Sequence, residues 1–173
     1  MKSYSIGLLS VVILLLGSII YKQQNNIVSY HFPIPETSGV KSKEVPLYLF
    51  LFFSKNDCIS CLQEIVEVLN SLPPYFCISG IVPEDELKNE QELRRLTGVS
   101  FPLFSNLRYR KYLPWHTPTI FGVSKAGKII FILPGIQGQR NCLESTLLSI
   151  YGKLYPLLEK EGNSEKKHDN KKR

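Results

Sequence analysis

Two cysteines separated by two residues, Cys58-Ile59-Ser60-Cys61, carry the most pointed chemical signal in the 173-residue chain. If they open a helix, the three-residue spacing sets their Cα atoms about 5–6 Å apart, inside the window that a disulfide accepts. The first turn of a helix presents unpaired N–H groups and the positive end of the dipole, both of which favour an anion, so a Cys58 thiolate is stabilised there. Cys61, one turn further in, is shielded and suits the resolving role. The chemistry is exchange: Cys58 attacks a substrate disulfide, or a substrate thiolate attacks a Cys58–Cys61 disulfide. Either route passes through a mixed disulfide. Neither a cofactor nor a metal is needed.

Two plainer readings compete. A C-x-x-C also begins many zinc sites, which require two further ligands. Cys77 and Cys142 complete the count of four cysteines. They serve only if the fold brings both to the pair, and Cys77 is expected to open a strand at the far end of the sheet. A purely structural disulfide is the other reading, although so short a loop contributes little closure entropy.

The surrounding pattern supplies the context. Residues 47–53, LYLFLFF, form an apolar run without a polar face, as for a central strand covered on both sides. After a polar break, Leu62, Ile65, Val66, Leu69 and Leu72 recur at helical spacing until Pro73-Pro74. Residues 75–82 read as a second strand and 84–97 as a charged helix closed by Gly98. Residues 101–112 lead into a third strand at 119–124. A hairpin loop containing Gly127 follows, then a fourth strand at 129–133. Asn141 and Glu144 are spaced as a capping box for a final helix carrying Leu143, Leu147, Ile150, Tyr151 and Leu154, limited by Pro156. The order β-α-β, crossover helix, β-β-α implies a mixed four-stranded sheet with helices on both faces, a thioredoxin-like α/β fold.

Outside that domain, residues 6–20 form an apolar run after Lys2. From 4 to 21 a helix reaches roughly 27 Å, close to a hydrocarbon core of about 30 Å. A signal-anchor over 1–22 is expected, in preference to a cleaved signal peptide, because no A-x-A site follows. The weak bias of positive charge places the remainder outside the membrane: a single-pass anchor with an extracytoplasmic domain, in the periplasm or on the outer face of a bacterial inner membrane. Residues 23–43 read as a spacer, 44–158 as the folded domain and 159–173 as a charged, disordered tail. That tail holds six of the 21 Lys/Arg and four of the 15 Asp/Glu. The net charge of +6 is therefore diffuse and describes no nucleic-acid-binding stripe.

The run from Cys58 to Glu64, with Phe101-Pro102, Thr117-Pro118-Thr119 and Ala126-Gly127-Lys128, resembles the exported or membrane-anchored thioredoxin-like thiol–disulfide oxidoreductases of bacteria, of the TlpA/ResA type. The resemblance implies protein thiols and disulfides as substrates and an extracytoplasmic redox partner. It implies that Pro118 is cis and faces the pair, that Thr117 offers its backbone to an incoming polypeptide, and that Glu64 moves a proton to or from Cys61. Without the family, Thr117-Pro118-Thr119 is only a strand start and Glu64 an exposed helix residue. The chain departs from the family at Asp57, where Trp is usual, and at Ser60, where Pro is common. The Asp57 charge opposes a thiolate beside it.

A peroxiredoxin-like peroxidase is the nearest rival within the fold, but residues 54–57 lack the Pro and Thr/Ser that peroxide binding requires. A non-enzymatic module that holds a metal or a partner is the other alternative. His116 is the histidine nearest the pair and reads as a loop residue. Cys77 reads as a small buried side chain, Cys142 as structural, and Arg108 to Tyr112 as a solvated crossover face.

Overall fold

The computed structural model describes residues 31–35, 46–135, 138 and 140–169, the side chains of 141 and 160–169 excepted. The apolar run at 6–20 and the expected anchor lie outside the described residues. Among the described residues no helix is long and apolar enough to cross a membrane.

Strand β1 (Leu47–Phe52) sits at the centre of the sheet, with all six residues buried. Strand geometry alternates its side chains. Leu47, Leu49 and Leu51 join one core, while Tyr48, Phe50 and Phe52 join another on the opposite face. β2 (Phe76–Val82) runs parallel to β1, pairing Leu47 with Phe76 and Phe52 with Ile81. β3 (Leu103–Ser105) runs parallel to β2. On the other side β4 (Thr119–Val123) is antiparallel to β1, and β5 (Ile129–Pro134) antiparallel to β4. The order is β3-β2-β1-β4-β5, so the sheet has five strands and not the expected four. Three residues are too few to display a period, so the sequence shows β3 only as part of the lead-in to the strand at 119–124. Gly80 admits it: a Cβ there would lie 2.5 Å from Leu103 Cδ2.

Helix α1 (Ile59–Ser71) buries Leu62, Ile65, Val66 and Leu69 against the first face of the sheet. Each such side chain contributes about 1.5–3 kcal/mol when fully buried. The expected helix over 84–97 divides into α2 (Glu84–Leu87) and α3 (Glu90–Thr97), because Asn89 leaves the helical region at φ −110°, ψ 41°. Gly98 ends α3 at φ 78° and donates its N–H to the Arg94 carbonyl, as the sequence suggests. Helix α4 (Arg140–Asp169) starts one residue before the expected capping box and does not stop at Pro156. Leu158, buried beyond that proline, ties the continuation to the core. The helix also runs on through 159–169, the stretch read as a disordered tail.

Among the described residues the second face carries no α-helix, where helices on both faces are expected from the sequence. It is covered by a 3-10 helix (Asn106–Tyr112) and by residues 31–35, which the sequence reading assigns to the spacer. Phe32 is 1% exposed, with ring centroids 4.5 Å from Phe50, 5.2 Å from Tyr109 and 4.8 Å from Tyr112. Its N–H donates to the Gly127 carbonyl. A five-residue piece carries no periodicity, so its place in the core is invisible before folding.

Candidate active site

Pairing directions decide what meets at one edge of the sheet. β2 is parallel to β1, so both end there; β4 is antiparallel, so it begins there. The loop leaving β1 therefore lies between the residues after β2 and those before β4. Cys58 stands at the N-cap of α1, and its carbonyl accepts the Leu62 N–H at 2.9 Å. It is exposed, whereas Cys61 is 8% exposed. The two form a disulfide with Cα atoms 5.3 Å apart. Cys58 makes no side-chain cap hydrogen bond, so its side chain does not occupy the amide N–H groups of the first turn. Ser60 Oγ lies 3.3 Å from Cys58 Sγ.

The Thr117–Pro118 peptide is cis. Pro118 is buried and Thr117 exposed. The Thr117 hydroxyl donates to Asp57 Oδ1 at 2.6 Å, and the other Asp57 oxygen accepts the Ser54 N–H at 2.8 Å. The residue immediately before Cys58 therefore joins the cysteine loop to the cis-proline loop. Sequence reasoning registers Asp57 as a charge opposing the thiolate and misses this bridge, since 60 residues separate the partners.

Glu86 carries no signal in the sequence. It stands among four acids in the stretch 84–90 and has no distinguishing spacing. Yet it is 4% exposed beneath the same loop, accepting the Ser54 hydroxyl at 2.6 Å and the Lys55 N–H at 2.8 Å. Two charge-assisted bonds compensate the burial of its carboxylate.

Glu64 is half-buried on α1, and its Oε2 accepts the Gly138 N–H at 3.1 Å. This engages one oxygen with the segment between β5 and α4. His116 is exposed, and its carbonyl accepts the Thr119 hydroxyl. Trp115, two residues before Thr117, stands fully in solvent.

Cys77 and Cys142 are free thiols. Cys77 pairs in register with Tyr48 at the start of β1, away from the edge that holds Cys58, and burial pushes its thiol up from the ordinary value. Cys142 is exposed in the first turn of α4. Among the described residues no group of three or more His, Cys, Asp or Glu side chains is placed to hold a metal ion. In the 3-10 helix, Arg108, Arg110 and Lys111 are exposed while Tyr109 is buried.

No family model and no curated protein matches the chain. Solved structures do. A protein assigned as the thiol:disulfide interchange protein DsbE of Chlorobium tepidum aligns over 60% of this chain and 79% of its own, at 14% identity and TM-score 0.50. StoA from Bacillus subtilis aligns over 59% and 82%, at 12% identity and TM-score 0.47. A secreted Mycobacterium tuberculosis disulfide oxidoreductase homologous to E. coli DsbE aligns over 61% and 83%, at 11% identity and TM-score 0.49. The first of these likenesses establishes the fold as thioredoxin-like α/β.

Proposed function

We propose that this chain is a thiol–disulfide oxidoreductase acting on protein substrates through Cys58 and Cys61. The observation that carries the proposal is the asymmetry of the pair: an exposed sulfur at an uncapped helix N-terminus, joined to a buried one a turn inside, beside a cis-proline loop. In the reducing direction the Cys58 thiolate attacks a substrate disulfide. A Cys58–substrate S–S bond forms, and one substrate sulfur leaves as a thiolate that takes a proton from water. Cys61 loses its proton and attacks Cys58 Sγ, closing the Cys58–Cys61 disulfide and expelling the second substrate sulfur. Two electrons pass to the substrate, and the pair is oxidised. Oxidation of a dithiol is the reverse.

The Thr117 backbone beside the pair receives the substrate chain in extended form, and the exposed Trp115 gives that chain an apolar contact. We assign Glu64 to proton transfer at Cys61, one helical turn away, with its second oxygen bonded to the segment before α4. We place the domain outside the cytoplasm, held by the apolar run at 6–20 as a signal-anchor and re-poised by an extracytoplasmic redox partner. The support is the length of that run and the absence of an A-x-A site after it.

Insulin reduction by the full chain, together with trapping of a peptide disulfide, tests the reading. Cys61→Ser is expected to accumulate a mixed disulfide on Cys58, and Cys58→Ser to lose turnover. Retained turnover in Cys58→Ser, with no adduct in Cys61→Ser, would remove the assignment.

A further inference from the structure

The hydrogen bonds around the cysteine loop form one continuous line. Glu86 of α2 accepts the Ser54 hydroxyl and the Lys55 N–H. Ser54 in turn accepts the Asn56 N–H at its hydroxyl and exchanges backbone contacts with Asp57, whose N–H donates to the Ser54 carbonyl at 3.0 Å. Asp57 accepts the Ser54 N–H with one oxygen and the Thr117 hydroxyl with the other. Among the described residues, Asp57 is the single carboxylate bonded to both the cysteine loop and the cis-proline loop. Its backbone is contiguous with that of Cys58, so its charge lies within one residue of the attacking sulfur.

We propose that Asp57 is a positioning residue for the exchange, latching the cis-proline loop across the cysteine pair and setting, by its charge, the pH at which Cys58 becomes reactive. The proposal rests on the oxidoreductase reading and adds to it a residue that the C-x-x-C pattern does not contain. The two actions are physically separate. The latch is the Thr117 bond, which fixes how far the substrate-receiving backbone stands from Cys58. The charge acts through space: a carboxylate on the residue adjoining Cys58 disfavours the thiolate and offsets part of what the helix N-terminus provides.

Other ionisable groups stand on the same loop and the neighbouring elements. Lys55 shares the loop, Glu64 stands on α1, Glu86 lies in α2, and His116 belongs to the cis-proline loop. Glu86 is committed to Ser54 and Lys55, and one oxygen of Glu64 to Gly138. Asp57 is the one of these acids that adjoins Cys58 in the chain, and its removal is therefore the direct test.

The test uses the reduced full-length chain, its Asp57→Asn, Asp57→Glu and Thr117→Val variants, and iodoacetamide alkylation followed across pH by peptide mass at Cys58. Asn removes the charge and keeps one acceptor oxygen, for the Thr117 hydroxyl, while its NH2 replaces the oxygen that accepts the Ser54 N–H. Its alkylation midpoint is expected to move about one pH unit toward acid, on the order of tenfold more thiolate below both midpoints. Glu restores the charge and with it the parent midpoint. Thr117→Val retains the charge and loses the latch; its midpoint stays near that of the parent, while KM for a peptide disulfide rises several-fold. Should Asp57→Asn fail to fold, Asp57→Ser makes the same charge deletion.

An unmoved midpoint in the charge-deleted chain, or an equal shift in Thr117→Val, overturns the inference. Exchange of the parent chain with hydroxyethyl disulfide, a small neutral substrate, is measured alongside. Exchange by the parent with no effect at Asp57 sinks this inference alone, whereas no exchange by the parent sinks the oxidoreductase reading as well.

Discussion

Replacing Glu86 separates a structural carboxylate from an ornamental one. It is 4% exposed and receives two short bonds, from the Ser54 hydroxyl at 2.6 Å and the Lys55 N–H at 2.8 Å. Hydrogen bonds to a charged group are worth about 1.5–3 kcal/mol each, which sets an upper range of roughly 3–6 kcal/mol for the pair. Two effects reduce this. Lys55 is exposed, so water reaches its N–H once the acid is gone, and deletion also removes the cost of burying a carboxylate. About 2 kcal/mol is therefore expected for Glu86→Ala. Glu86→Gln should cost about 1–2 kcal/mol, since the amide accepts one bond but turns a donor toward the other. With a urea m-value of about 1.5 kcal/mol/M, the alanine variant should lose roughly 1.3 M in its unfolding midpoint. The assay is urea titration of the oxidised chain followed by far-UV circular dichroism. Insulin reduction should also slow, because the loop that presents Cys58 has lost its floor. Unchanged midpoints in both variants would refute the view that Glu86 anchors this loop.

Phe32→Ala should cost about 3–5 kcal/mol by urea or thermal unfolding, since the ring is 1% exposed among Phe50, Tyr109 and Tyr112. A loss below about 1 kcal/mol would mean that residues 31–35 are dispensable to the fold. Tyr109→Phe is expected to be neutral or slightly stabilising in the same assay, because the buried hydroxyl of Tyr109 has no hydrogen-bond partner among the described residues. Burial raises the Cys77 thiol, so the unfolded chain releases that proton first as pH rises. Stability from this group is complete below the ordinary thiol value and is lost between that value and the raised folded one; Cys77→Ala should flatten the alkaline slope of ΔG against pH.

The sequence by itself determined the elements whose signals are local. The apolar run of β1 required a central strand, and the 3.6-residue repeat of Leu62, Ile65, Val66 and Leu69 required a helix after it. Together they place Cys58 at that helix's N-terminus. Gly98 and Gly127 mark turns because positive φ is inexpensive only for glycine. Tertiary structure decided whatever depends on residues meeting across long separations. β3 is a strand because Gly80 lets Leu103 approach, Phe32 is core because a five-residue piece found an aromatic pocket, and α4 passes Pro156 because Leu158 is buried beyond it. The same holds at the site. Thr117 reaches Asp57 because an antiparallel strand begins where its neighbour ends, and Glu86 lies under the loop because a parallel one ends there. Backbone periodicity records which face of an element is buried; it holds no record of which distant side chain will be waiting at the edge of the sheet.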